Sequence, residues 1–155
     1  MIFVTVGSVA PFDTLIRAVD DLAGRGLIKE TVVQIGNGKY IPKNCKWFRF
    51  ERDLMRYYQD AEIIITHNGA GTLFEVLPLG KKVIVVPNPD TSQIENIDIV
   101  IKLAKEGHII PCIRTDRLEY ALRLAHNWMP RKYERPPCRI PDIITRFLLD
   151  SSEQK

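Results

Sequence analysis

Short blocks of apolar, mostly β-branched residues alternate along the chain with longer stretches whose apolar positions fall three and four residues apart. The first block, Ile2–Val6, predicts a buried strand ending at Gly7. Phe12–Leu22 follows as a helix, with Leu15, Ile16, Val19 and Leu22 on one face and Asp13 near its start. Thr31–Ile35 predicts a second strand ending at Gly36, and residues 37–46 a loop containing Gly38 and Pro42. A short strand over Trp47–Phe50, a short helix over Asp53–Gln59 and a strand over Glu62–Thr66 come next. After a polar, glycine-rich turn, Leu73–Leu79 reads as a helix that stops before Gly80. Lys82–Val86 is a further strand, halted by Pro87 and Pro89. Gln93–Lys105 is a helix closed by Gly107, His108–Ile110 a terminal strand and Asp116–Asn127 another helix. Residues 129–141 carry four prolines among basic residues and predict an irregular connector, followed by a short apolar helix over Ile143–Leu149.

Apolar strands separated by helices predict a parallel sheet covered on both faces. Right-handed crossovers turn that alternation into an α/β, doubly wound, Rossmann-like domain over residues 1–128, with residues 129–155 as an appended connector and helix. In such a sheet the carboxyl ends of the strands share one edge, and ligands bind there. The unusual residues of this chain fall at those ends: Gly7-Ser8, Gly36-Asn37-Gly38, His67 through Thr72, and Pro87-Asn88.

Composition narrows the picture. The chain has 155 residues, enough for one core and about one domain. Twenty-two basic and 19 acidic residues leave a net charge of +3, too mild to make nucleic acid the main partner. No apolar run reaches the roughly 18 residues that span a bilayer, and the first residues lack the basic region of a signal peptide. Three scattered cysteines, Cys45, Cys112 and Cys138, without a C-x-x-C pair fit free thiols in the cytoplasm and no zinc site.

The strongest local signal is His67-Asn68-Gly69-Ala70-Gly71-Thr72. Glycines admit backbone N–H groups close to a ligand, and the following helix directs its partly positive N-terminus at the same place. The same residues also suit a tight strand-to-helix turn that needs glycine for geometry alone. Glu75, three residues after Thr72, can accept hydrogen bonds from the vicinal hydroxyls of a ribose, or can complete a capping box with Thr72. His67 is a candidate general base or phosphate donor, or a hydrogen-bonded structural residue. Dinucleotide, P-loop and nucleophile-elbow patterns are missing, and no D-x-D pair offers itself to a metal.

Together these segments resemble the C-terminal, donor-binding half of glycosyltransferase family 28. The likeness is carried by I-F-V-T-V-G-S…F-D-T-L-I, V-V-Q-I-G-N-G, I-T-H-N-G-A-G-T-L-F-E and V-V-P-N…S-Q-I-E-N, in that order over about residues 1–113. It is nearest to the stand-alone donor-binding subunits of two-part UDP-sugar transferases, in eukaryotic lipid-linked oligosaccharide synthesis or in bacterial exopolysaccharide assembly. The resemblance implies half of a GT-B fold and a metal-free inverting transfer that uses no cofactor. It implies that Gly7, Ser8, His67, Gly69, Ala70, Gly71 and Thr72 hold the diphosphate, with Asn68 in the same loop. Glu75 would bind the ribose, Gln34 and Gly36 would border the nucleotide, and Gln93, Asn88 and Glu95 would read the sugar. UDP-GlcNAc is the implied donor, with glucuronic acid or galactose transfer and a non-catalytic nucleotide-binding module as alternatives. Ser92 stands where the family often carries His, which leaves the sugar open. The acceptor, a polyprenyl- or dolichyl-linked glycan, and the general base would belong to a membrane-anchored partner subunit. That partner would recruit this cytoplasmic chain to the membrane, with residues 140–149 either docking on it or folding back on the chain's own sheet.

Overall fold

A computed structural model describes residues 1–8, 10–89, 97–137 and 140–152. The strands are β1 (Ile2–Thr5), β2 (Thr31–Gln34), β3 (Lys46–Phe48), β4 (Ile63–Thr66), β5 (Lys82–Val85) and β6 (Ile110–Pro111). The helices are α1 (Asp13–Gly24), α2 (Met55–Asp60), α3 (Ala70–Val76), α4 (Ile97–Lys105), α5 (Leu118–Asn127) and α6 (Ile140–Ser152). The six strands form one sheet in the order β3-β2-β1-β4-β5-β6, and every pairing is parallel. The chain is therefore the doubly wound α/β domain expected from its alternating pattern.

Strand periodicity sorts the core into two layers. Phe3, Ile64 and Val83 lie side by side in register and join Tyr58, Leu73, Val76, Val100 and Leu103 from α2, α3 and α4. Val4, Ile65 and Ile84, one residue further on, join Leu15, Ile16, Val19, Leu118, Ala121 and Ala125 from α1 and α5. With helices on both faces, all four residues of β4 are buried. Its sequence, Ile-Ile-Ile-Thr, therefore shows no polar alternation.

The elements differ from expectation mainly at their ends. The helix read as Leu73–Leu79 begins at Ala70, because Gly69 ends the loop in an extended conformation and its carbonyl accepts the Leu73 N–H (3.1 Å). It finishes as a 3-10 turn over Leu77–Leu79. The strand expected at His108–Ile110 is confined to Ile110–Pro111, since the Gly107 and His108 N–H groups close α4 on the Ala104 and Leu103 carbonyls. Gly107 takes φ +80° to do so. The helix expected from Asp53 starts at Met55, whose N–H is accepted by the Asp53 carboxylate (2.9 Å). The one expected from Asp116 is a 3-10 turn at Thr115–Arg117 before α5. The first part of the helix expected from Gln93 lies outside the described residues; α4 is described from Ile97.

The basic connector is stitched to the domain. The Arg131 N–H donates to the Gly107 carbonyl (2.8 Å), His108 Nδ1 bonds the Arg131 carbonyl (3.0 Å), and Tyr133 packs edge-on against the His108 ring. α6 begins earlier than expected, at Ile140, with Pro141 in its first turn, where a missing N–H costs nothing. Ile140, Ile143, Ile144 and Phe147 of this helix are all more than half exposed.

One acidic side chain is buried in the α1 layer. Asp20 is 2% exposed and accepts hydrogen bonds from the Tyr40 hydroxyl (2.7 Å) and from the backbone N–H groups of Lys43 (3.0 Å) and Asn44 (2.7 Å). Burial pushes its pKa up, but these donors outweigh it and hold the carboxyl below its ordinary value. Because the native pKa lies below the unfolded one, this stabilisation is complete above the unfolded value and is lost as pH falls through the native value. Replacing Asp20 by Ala leaves the donors of the 40–44 segment without their acceptor and should lower unfolding stability at pH 7 by about 2 kcal/mol. Urea denaturation at pH 7 and at pH 3 tests this: the deficit should shrink at the lower pH, and an undiminished deficit there would contradict the assignment.

Candidate functional site

The chain winds outward from β1 through β2 to β3, then crosses back to lay β4 against the other side of β1. The strand order reverses between β1 and β4, the switch point at which doubly wound sheets place a ligand crevice, on the carboxyl edge. Gly7-Ser8 leaves β1 on one side of that crevice. His67-Asn68-Gly69 leaves β4 on the other and leads into α3.

His67 occupies the join. A Cβ placed on Gly7 would stand 2.6 Å from its Cε1, and one placed on Gly69 would stand 2.7 Å from the same atom. Both loops thus approach the imidazole closer than any side chain allows. Gly7 adds a backbone constraint, with φ +75°. Gly36, at the end of β2, presses from behind: a Cβ there would lie 2.8 Å from the Gly7 carbonyl oxygen. Burial pushes the His67 pKa below its ordinary value, so the ring is neutral at pH 7. Its Nδ1 and the neighbouring Thr66 Oγ1 are buried without a hydrogen-bond partner among the described residues. Buried polar atoms left this way are uncommon and concentrate where ligands bind.

The other sequence candidates divide into distinct placements. Gly69, Ala70, Gly71 and Thr72 form the loop end and first turn of α3, whose N-terminus carries no side-chain cap. The first N–H groups of a helix have no intrahelical partner. Ser8 and Glu75 are exposed, and Thr72 is half-buried. Gln34 is buried, and its Oε1 accepts the Thr5 hydroxyl (3.3 Å), which ties β2 to β1 beneath the crevice. Asn68 and Asn88 are each 1% exposed. The Asn68 Oδ1 accepts the Asn88 N–H (3.3 Å), and the Asn88 Nδ2 donates to the Pro11 carbonyl (3.0 Å). These amides bind the loops after β4, β5 and β1 to one another. Gln93 and Glu95 lie outside the described residues.

Three residues that strand-end reasoning passed over, Asp13, Arg49 and Tyr58, also shape the edge. Asp13, Asn37 and Arg49 hold the turn after β2. Tyr58, buried on α2, brings its hydroxyl beside Thr72 and Glu75; burial first, then the Glu75 charge, pushes its pKa to about 12. The aromatic position on a short amphipathic helix was visible in the sequence, but the neighbour it reaches was not. Among the described residues no group of three His, Cys, Asp or Glu side chains gathers as metal ligands do. A groove of about 570 Å³ opens at the opposite, amino edge of the sheet between α1 and α5, lined by Leu22, Leu27, Ile28 and Leu122 with charged neighbours. It has none of the glycine loops or helix N-termini of the carboxyl edge.

Gly69 has φ −71°, which any residue adopts, so Gly69→Ala isolates the steric effect. The added methyl should expel the imidazole from its slot and return its pKa toward the usual value near 6.5. Titration of the His67 ring signals by NMR measures this directly. An unchanged, depressed pKa in the variant would show that Gly69 does not confine the ring.

Comparison with known proteins agrees with this architecture. Residues 1–145 match the glycosyltransferase family 28 C-terminal domain. The chain is 32% identical over 123 residues to the Homo sapiens UDP-N-acetylglucosamine transferase subunit ALG13, covering 72% of this chain but 11% of that protein. It is 27% identical over 165 residues to the subunit of the same name from Yarrowia lipolytica, covering 96% of this chain and 82% of that one. The chain therefore spans about a tenth of the human relative and most of the yeast one. The crystal structure of Acinetobacter baumannii MurG superposes with a TM-score of 0.62 at 21% identity, over 81% of this chain and 41% of that chain. It shares the fold as one Rossmann-like half of a GT-B architecture. With a family match over residues 1–145 and the doubly wound sheet that goes with it, this chain belongs to the glycosyltransferase family 28 C-terminal domain family.

Proposed function

We propose that the chain is the donor-binding subunit of a glycosyltransferase that moves N-acetylglucosamine from UDP-GlcNAc to a lipid-linked acceptor, with inversion at the anomeric carbon. The observation that carries this reading is the crevice between β1 and β4, where Gly7 and Gly69 close on a neutral His67 beside the uncapped start of α3. Backbone donors and a helix N-terminus suit a diphosphate, and they stabilise the charge that grows on UDP as it leaves. His67, uncharged and confined, serves that site as a hydrogen-bonding group at the diphosphate. Glu75, exposed on α3 beside Tyr58, receives the ribose hydroxyls. The name shared by the human and yeast relatives, UDP-N-acetylglucosamine transferase subunit, favours GlcNAc over glucuronic acid or galactose.

The acceptor hydroxyl needs a base. In this reading the base and the polyprenyl or dolichyl acceptor site sit on a membrane-anchored partner subunit. No helix among the described residues is long and apolar enough to cross a membrane. Residues 140–149 form the docking segment: Ile140, Ile143, Ile144 and Phe147 of α6 stand exposed, after a connector bearing Arg131, Lys132 and Arg135.

Calorimetric titration with UDP tests the donor site. The wild-type chain should bind with a micromolar-to-millimolar Kd, and Glu75→Ala should weaken binding about tenfold or more with the fold intact by circular dichroism. Absence of UDP binding, alone and with the partner, would contradict the proposal. A chain ending at residue 139 should keep UDP binding and lose the partner in co-purification; retention of the partner would move the docking surface elsewhere.

A further inference from the structure

We propose that Asp13 is a positioning residue for the diphosphate site, acting through the turn after β2 to fix the backbone of Ser8. This inference rests on the nucleotide reading above and assigns a role within that same site.

Asp13 is the first residue of α1, where a carboxylate is favoured by the helix dipole. Its two oxygens accept one backbone N–H, that of Lys39, at 3.0 and 3.1 Å. The turn is pressed onto the carboxylate: a Cβ on Gly38 would lie 2.5 Å from Asp13 Oδ1 and 2.9 Å from the Ile35 carbonyl. From the other side, Arg49 Nη1 donates to the carbonyls of Gly36 (3.1 Å) and Gly38 (3.0 Å). An anion therefore holds an N–H of the turn while a cation holds its carbonyls. Held this way, the turn presents Asn37, whose Nδ2 donates to the Ser8 carbonyl (3.3 Å). Gly36 of the same turn backs the Gly7 carbonyl. The path from Asp13 runs through Lys39, Gly38 and Asn37 to Ser8, and it ends at the crevice rather than in the core. The packing of α1 is supplied separately, by Leu15, Ile16, Val19 and Leu22. A peptide whose carbonyl is fixed in this way needs no reordering when a diphosphate arrives.

Calorimetry with UDP on Asp13→Ala, Asn37→Ala and the double variant tests the path. Each single change should raise Kd about tenfold, and the double variant should be no weaker than the worse single one, because both break one bridge. Asn37 is exposed, so Asn37→Ala should leave the thermal midpoint unchanged and keeps the test valid if Asp13→Ala unfolds. Wild-type affinity in Asn37→Ala would overturn the inference and leave the nucleotide site standing. Additive losses that track falling thermal midpoints would also overturn it, reducing both residues to structural roles. Failure of the wild-type chain to bind UDP would remove the nucleotide reading and this inference together.

Discussion

The architecture of the edge depends on one steric constraint: two strand-end loops close on the ring of His67 at distances that exclude a Cβ on either side. A parallel sheet sets neighbouring strands about 5 Å apart, and at a switch point their loops part. Here the His67 ring, carried by the loop after β4, packs against Gly7 of the loop after β1 and against Gly69 of its own loop. Gly7 supplies the left-handed turn and the close approach, Gly69 the close approach alone, and Gly36 lets the β2 loop back the first of them. The remaining contacts tie together the strand ends and loops that carry those three glycines. Gln34 bonds Thr5 under the floor, Asn68 and Asn88 lace the loops after β4, β5 and β1, and Asp13 with Arg49 grips the turn after β2. Burial explains the depressed pKa of His67, whose Nδ1 has no hydrogen-bond partner among the described residues.

The sheet was legible because both of its faces are covered. Runs such as Ile63–Ile65 and Val83–Val85 are apolar at every position, and only a strand buried on two sides tolerates that. Gly7, Gly36 and Gly69 were also legible, since glycines at strand ends mark close approach. The start of α3 was not. Gly69-Ala70-Gly71 has low helix propensity, yet the helix begins at Ala70 because Leu73 and Val76 are buried against the sheet and outweigh Gly71. The strand at His108 was misplaced for a related reason: its backbone is spent on closing α4.

Side-chain roles were harder to read than elements. An amide such as Asn68 or Asn88 can meet a sugar hydroxyl or a backbone carbonyl with equal chemistry, and only the three-dimensional arrangement reveals the loop partners. Asp13 and Lys39 are 26 positions apart, and Asn37 and Ser8 29, so no local pattern announces their contacts. Asp20 shows the same limit inside the core. A lone acid on the apolar face of α1 looks out of place until Tyr40, Lys43 and Asn44 come round to meet it.

The sheet has two edges a ligand could meet, and the proposed nucleotide site is the carboxyl edge built on glycine and His67 rather than the amino-edge groove between α1 and α5. Backbone amide shifts followed by NMR during a UDP titration discriminate the two in one spectrum series. Binding at the carboxyl edge predicts saturable shifts concentrated at Gly7, Ser8, Gly36 and His67 through Thr72. Shifts concentrated instead at Leu27, Glu119, Arg123 and His126 would place the ligand at the amino edge and contradict it.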